Sequence, residues 1–202
     1  MSVKIYVEGG GDHNKALQTR CRQGFSKFLE RSGLRGHMPR VVACGGRSQA
    51  FDSFRTSLQN ARPGEHPLLL VDSEDVVQGT PWEHVRIHDS WDRPVSALDE
   101  QLHFMVQAME AWFHADKNTL ERYYGDNFHP GALSQRQDVD NIPKRDLFTG
   151  LQAATRDCQK GEYSKGDHSF EILARIDPAR VRNASPNYGA RFLDKLSRAC
   201  LE

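Results

Sequence analysis

The sequence has no hydrophobic run near the roughly 18 residues that a membrane-spanning helix needs. It also lacks the pattern of a signal peptide at its start, so we expect a cytoplasmic protein without membrane association. Cysteine is scarce, and no two cysteines form a C-x-x-C pair, which argues against a disulfide framework or a structural zinc site. The four cysteines are Cys21, Cys44, Cys158 and Cys200.

The chain also has no excess of charge of either sign. Its 27 basic and 27 acidic residues give a formal net charge of zero, which argues against a protein that coats nucleic acid non-specifically. The charges are unevenly distributed: residues 14–55 carry nine Lys or Arg against two acids, and residues 64–126 carry thirteen acids against four Lys or Arg. This asymmetry suits an enzyme that holds phosphates on one side and metal ions on the other, although ordinary surface variation would produce it as well.

Short apolar runs alternate with segments of helical periodicity in the first half of the chain. The runs at 3–7, 41–44, 68–71 and 102–106 predict strands, and the periodicity predicts helices over 17–29, 50–58 and 109–115. Such alternation indicates parallel β-α-β units. We therefore predict an α/β fold whose parallel sheet of about four strands, flanked by helices, occupies residues 1–116. Residues 117–202 have no convincing strand and predict a mostly helical C-terminal extension packed on this core.

Acidic residues follow two of the predicted strands. Glu8 ends the first strand, with Asp12 beyond a glycine turn, and the third strand ends in Asp72, Glu74 and Asp75. Because the carboxyl ends of parallel strands share one edge of a sheet, these side chains are expected to converge there. In extended backbone Asp72 and Glu74 would face the same way. A solvated turn explains one such cluster, but two clusters favour a bound Mg²⁺ or Mn²⁺ ion.

Two other patterns look like functional motifs but have a simpler structural explanation. The three glycines at residues 9–11 follow a strand, where phosphate-binding loops also lie. No G-K-[ST] follows them and their spacing is not G-x-G-x-x-G, so a tight turn is a better interpretation than a phosphate-binding loop. His84 and His88 are four residues apart, but Val85 replaces the glutamate of H-E-x-x-H. A surface helix explains that pair better than a zinc site does.

Three further residues are candidates because of their surroundings. Glu110 lies in the apolar segment 105–113, where a charge is costly unless it is paired or bound to metal; a glutamate at the helix edge that reaches solvent is the alternative. Lys165 precedes a predicted helix and could stabilise the extra charge of a phosphoryl transition state, although exposed loop lysines are more common. His168 suits either acid–base chemistry or helix capping.

The V-E-G at residues 7–9 and the D-S-E at residues 72–74 resemble the Toprim domain over roughly residues 1–115. The resemblance implies that Glu8, Asp72 and Glu74 coordinate divalent metal in phosphodiester chemistry. The chain is more similar to OLD-family nucleases, whose further aspartate, glutamate and lysine would correspond to Asp12, Glu110 and Lys165. One departure is that Glu74 stands where an aspartate is usual, so that either Glu74 or Asp75 could be the ligand.

The whole chain is also similar to a small bacterial family of Toprim-like proteins that are often encoded beside AAA-type ATPases. This resemblance implies an ATPase partner and a role in phage defence. We therefore expect a metal-dependent nuclease that cleaves DNA or RNA, with Glu8, Asp72, Glu110 and Lys165 as its catalytic residues. A non-catalytic subunit of an ATPase complex that binds metal or nucleotide is the main alternative. A phosphohydrolase of small nucleotides or a receiver-like domain is a further one.

Overall fold

Four parallel strands form the centre of the protein, whose computed structural model describes residues 2–11 and 13–201. The strands are β1 (Ser2–Val7), β2 (Arg40–Ala43), β3 (Glu65–Asp72) and β4 (Leu102–Met105). They lie in the order β2-β1-β3-β4, and each neighbouring pair is parallel. The predicted α/β fold with a parallel sheet of about four strands is therefore confirmed.

Helices cover both faces of this sheet. The α-helices of the described residues are α1 (Lys15–Leu29), α2 (Arg47–Gln59), α3 (Pro81–Asp89), α4 (Glu110–Ala115), α5 (Lys117–Tyr124), α6 (Lys144–Thr155), α7 (Lys165–Leu173), α8 (Pro178–Ala184) and α9 (Gly189–Leu201). Gly33 is left-handed (φ 94°) and lies in the π-helical turn that follows α1. At α3, Thr80 and Glu83 form a capping box, in which each side chain accepts a hydrogen bond from the other's backbone N–H.

The alternation of side chains along each strand divides the core between the two faces of the sheet. Ile5 and Leu68 point to the face covered by α1 and α9. Tyr6 and Leu69 point to the opposite face, which α2 and α3 cover. Because helices cover both faces of the sheet, the sequences of β1 and β3 are nearly continuous apolar runs.

The C-terminal helices complete the first of these two cores. Phe192 of α9 is fully buried in it, and α7 packs directly on α1. That contact is close because Gly24 has no side chain: a Cβ there would lie 2.7 Å from the carbonyl oxygen of Phe170. The structure shows only helices and turns over residues 117–201. The proposed boundary near residue 116 stays a prediction, since one hydrophobic core joins the residues on either side of it.

None of the helices in the described ranges is both long enough and apolar enough to cross a membrane.

Candidate metal centre

Glu8 and Asp72 lie at the carboxyl ends of the two central strands. Val7, the last residue of β1, pairs with Leu70 of β3, and β3 continues to Asp72. The chain passes from β1 to β2 on one side and then to β3 on the other, so the strand order reverses between β1 and β3. Ligands of open α/β sheets bind outside the carboxyl ends of the strands at such a reversal.

Three carboxylates converge at this point. One oxygen each from Glu8, Asp72 and Glu74 lies within 4.8 Å of the others. Asp72 is buried at 3% exposure, Glu8 is half-buried and Glu74 is exposed. Glu74 does not reach the group along an extended strand, as its spacing from Asp72 suggested, because β3 ends at Asp72 and Glu74 is left-handed (φ 68°). Three carboxylate oxygens are the donor set that Mg²⁺ or Mn²⁺ prefers.

Asp75 is separate from this group of three. Asp75 is exposed, and its carboxylate accepts a hydrogen bond (2.7 Å) from the N–H of Val76. Within residues 2–11 and 13–201, the group of three includes Glu74 and leaves Asp75 out. Asp12, the other candidate ligand, lies outside the described residues.

Glu110 lies close to this group of three carboxylates but has different contacts. It is fully buried at the start of α4, so a glutamate that reaches solvent is the wrong alternative. Its Oε1 accepts a hydrogen bond from the Tyr163 hydroxyl (2.6 Å), whereas its Oε2 has no hydrogen-bond partner among the described residues. Burial raises the pKa of Glu110, and Asp72 raises it further against the opposing effect of Lys165.

Lys165 connects Glu110 to the cluster. Its Nζ lies 3.3 Å from Oδ2 of Asp72 and 3.8 Å from Oε2 of Glu110, while half of its side-chain surface remains exposed. It is the first residue of α7 rather than a loop residue, and its half-exposed side chain is paired with two acids. Burial acts to lower the pKa of Lys165, but Asp72 and Glu110 outweigh that effect and raise it. Lys165 is therefore a permanent cation between the two acids.

Each acid of the group of three carries a side-chain cation of the same chain. The pairs are Glu8 with Arg47, Glu74 with Lys144 and Asp72 with Lys165. With Glu110 included, four carboxylates of the described residues face these three cations, so the described part of the site retains an excess of negative charge when all of its groups are ionised. This excess and the orphaned oxygen of Glu110 both fit a site that accepts a further cation.

Arg47 is a site residue that sequence reasoning counted only as one of the basic residues in 14–55. Its guanidinium binds both carboxylate oxygens of Asp89 (2.7 and 2.8 Å) and lies 3.3 Å from Glu8. It also donates to the backbone oxygen of Asp72 and stacks on Trp91. The available signal was its position directly after the second strand and its glycines, which places it at the same edge of the sheet as the acids.

The pKa of Glu8 is raised to about 7. Burial is the main cause, the neighbouring Asp72 adds to it, and Arg47 opposes it. A glutamate in this state is partly protonated at neutral pH. A cation bound by these carboxylates would favour the ionised form, so its binding would release protons.

The histidines of the predicted helices have structural contacts. His84 is buried rather than on the surface, and its Nε2 lies 2.8 Å from the carbonyl oxygen of Ser73, directly behind the acidic turn. His88 is exposed and stacks on it. In α7, the Nδ1 of His168 accepts a hydrogen bond from the N–H of Ser164, which favours capping over acid–base chemistry.

Residues 7–197 match a family model described as Domain of unknown function (DUF4276). The match includes every candidate site residue named above. No curated protein and no solved structure matches the chain.

Proposed function

Because the chain belongs to the DUF4276 family, a domain family of unknown function, we propose its activity from the site itself: divalent-metal-dependent hydrolysis of phosphodiester bonds in DNA or RNA. The observation that carries this proposal is the convergence of Glu8, Asp72 and Glu74 within 4.8 Å at the reversal of strand order. The Toprim-like motifs of the sequence support the same proposal.

Glu8, Asp72 and Glu74 would hold the Mg²⁺ or Mn²⁺, and Glu110 would add a fourth carboxylate at the buried side of the site. When bound, the metal would supply an activated water and neutralise the charge of the leaving oxygen.

The chain's own residues would orient the substrate and the ligands. The Lys165 ammonium is half exposed beside Asp72, so it can also reach a phosphate oxygen and stabilise the charge that develops there. Arg47 holds Glu8 and the end of β3 in place. Tyr163 fixes one oxygen of Glu110 and leaves the other available.

The biological setting is a proposal that rests on sequence resemblance alone. It consists of a cytoplasmic nuclease that acts with an AAA-type ATPase partner in defence against phage. A partner that controls the nuclease would also explain how a cell tolerates it.

One observation favours the second candidate, a non-catalytic subunit that binds metal or nucleotide within an ATPase complex. Every acid of the cluster already has a cationic partner from the same chain, namely Arg47, Lys144 or Lys165. Such pairing would weaken metal affinity and suits a site that responds to an ion rather than one that turns over substrate.

The two candidates separate in one set of measurements. Purified wild type is incubated with labelled DNA and RNA in Mg²⁺, Mn²⁺ or chelator, beside Glu8→Gln and Asp72→Asn, and Mn²⁺ binding is measured by calorimetry. Asp75→Asn is the matched control because Asp75 is an exposed acid three residues from Asp72 but outside the cluster. We expect metal-dependent cleavage by the wild type and the control only.

Cleavage that continues equally in Glu8→Gln and Asp72→Asn would overturn the assigned site. Metal binding without cleavage of any substrate, with or without an ATPase partner, would favour the non-catalytic subunit instead.

A further inference from the structure

A small apolar cavity opens beside the acidic cluster, and we propose that it takes the base of an unpaired nucleotide. The substrate would then be single-stranded or locally unpaired nucleic acid. This inference rests on the proposed nuclease function and specifies its substrate class.

The cavity has a volume of about 190 Å³. Its apolar wall consists of Leu17, Met105, Met109 and Phe170. The same cavity is lined by Glu8, Asp72 and Lys165, the groups that would hold the metal and the phosphate. An apolar compartment therefore lies directly beside the proposed reacting centre. A substrate made only of phosphates and sugars would have no apolar group to fill it.

The size and lining of the cavity match one aromatic ring system. Pockets that enclose drug-sized ligands have volumes of roughly 300–1,000 Å³, so this cavity suits a smaller group. Enzymes that take a base out of its stack hold it between aromatic and apolar side chains. The thioethers of Met105 and Met109 and the ring of Phe170 supply such contacts.

The glycine turn after β1 forms another part of the wall. Gly9 is left-handed (φ 136°), and a Cβ on it would lie 3.3 Å from Cζ of Phe170 and 3.2 Å from Sγ of Cys21. Gly10 and Gly11 line the cavity with backbone only. The triplet, which does not have the spacing of a phosphate loop, thus keeps side chains out of the space beside Phe170.

A second cavity shares this phenylalanine in its lining. It has a volume of about 260 Å³, lies between α1 and α7, and includes Phe170 in its lining. Its charged lining residues are Arg20, Lys27, Arg175 and Glu171. The excess of positive charge suits the phosphates of the strand that leads away from the bound base. Proteins that bind single strands combine such a basic groove with a stacking platform.

A base within a duplex is stacked and paired, so it can reach this cavity only after it leaves the helix. Unstacking and unpairing cost a few kcal/mol and cost least for a base that is already unpaired. We therefore expect a preference for single strands over duplexes of the same sequence.

The test compares three fluorescein-labelled 12-nucleotide probes by anisotropy, in Ca²⁺ as the divalent ion: a mixed-sequence single strand, the same length of abasic backbone, and the duplex. The abasic strand carries the same phosphate charge, so it isolates the contribution of the bases. We expect the base-bearing strand to bind about ten-fold more tightly than the abasic strand and more tightly than the duplex. Equal affinity for the abasic strand would overturn the proposal.

A pair of variants places the effect in the cavity. Leu17→Phe fills the space from a half-buried position of α1, and Ala16→Phe adds the same ring at the neighbouring exposed position outside the cavity. We expect Leu17→Phe to abolish the preference for bases and Ala16→Phe to retain it. A preference that survives in Leu17→Phe would contradict the assigned cavity.

The binding assay is independent of cleavage, so the two proposals can fail separately. Base-dependent binding by a protein that cleaves nothing would overturn the nuclease function alone. Metal-dependent cleavage of duplex and single strand at equal rates would overturn the cavity assignment alone.

Discussion

The ammonium of Lys165 lies 3.3 Å from Oδ2 of Asp72, although the two residues are 93 positions apart in the sequence. Asp72 is the last residue of β3, and Lys165 is the first residue of α7. The other oxygen of Asp72 accepts a hydrogen bond from the N–H of Met109 (2.8 Å). One carboxylate thus joins the central sheet, the segment before α4 and a C-terminal helix, and the site is complete only when all three are in place.

Replacing this lysine should separate metal binding from catalysis. In Lys165→Met the cation beside Asp72 and Glu110 is lost, so a divalent ion meets less competing positive charge. We expect Mn²⁺ to bind at least as tightly as in the wild type, measured by calorimetry, while the cleavage rate falls by about 10²-fold because the phosphate loses its contact. Lys160→Met, at a nearby exposed lysine, is the control. Weaker metal binding in Lys165→Met would contradict this role.

Glu110→Gln should stabilise the metal-free protein and impair its activity. The glutamate is fully buried, its Oε2 has no hydrogen-bond partner among the described residues, and burial raises its pKa, so ionising it in the folded protein costs free energy. The amide removes that charge, and we expect a gain of about 1 kcal/mol, which corresponds to roughly 2–4 °C in melting temperature at this chain length. A lower melting temperature would show instead that the charge is well compensated.

The acids of the site could be predicted from the sequence because each follows a strand whose residues are apolar on both faces. Residues 3–7 and 68–71 predicted β1 and β3, and parallel pairing then placed Glu8 beside Asp72. The order of the strands, which creates the reversal between β1 and β3, could not be read from either run. It depends on which edge of the sheet each connection reaches.

The cations of the site were harder to predict for a physical reason. Arg47 and Lys144 each begin a helix that docks from elsewhere in the chain, and a long side chain at a helix start ordinarily reaches solvent. Their role follows from tertiary contacts with Glu8 and Glu74. Lys165 was a candidate because it precedes a predicted helix, and the resemblance to OLD-family nucleases supported it, but neither indicated its contact with Asp72.

Arg47 should be required both for stability and for the orientation of Glu8. Removing it in Arg47→Met leaves the half-buried Asp89 without its bidentate partner, and we expect a loss of about 3 kcal/mol in urea unfolding. Arg47→Lys keeps the positive charge but cannot bind both carboxylate oxygens of Asp89 as the guanidinium does, so it should recover only part of that stability.

The double variant Arg47→Met/Asp89→Leu separates the two roles of the arginine. It removes the unpaired carboxylate and should recover stability, while cleavage stays low because Glu8 remains without its partner. Full activity in the stable double variant would show that Arg47 does not position Glu8.

Gly24→Ala should act on the site from a distance. The new Cβ would lie 2.7 Å from the carbonyl oxygen of Phe170, so α7 must move away from α1 and take Lys165 with it. We expect a loss of about 1–3 kcal/mol in stability together with reduced cleavage. Gly131→Ala is the matched control, because a Cβ there meets nothing within 4 Å, and it should change stability by less than about 1 kcal/mol. Equal effects of the two changes would contradict the close packing of α1 and α7.

Asp140 should give the protein a pH-dependent stability that does not depend on the candidate metal centre. Its Oδ1 accepts a hydrogen bond from the Ser185 hydroxyl (2.7 Å), while its buried Oδ2 has no partner in the described part of the chain. Burial, together with the nearby Asp138, raises the pKa of Asp140 to about 7 despite the opposing bond from Ser185. In the unfolded chain the same group titrates near the ordinary value of about 4.

Between pH 4 and pH 7 the folded state therefore holds the proton that the unfolded state has already released. Stability falls as the pH rises through this interval and does not fall further from this group above it. Asp140→Asn cannot ionise, so its stability relative to the wild type should improve by about 2 kcal/mol between pH 5 and pH 8. Urea unfolding of both proteins at the two pH values measures this difference. All other groups titrate alike in the two proteins, so their contributions cancel. A difference between variant and wild type that is the same at both pH values would mean that Asp140 is already ionised in the folded protein at pH 5.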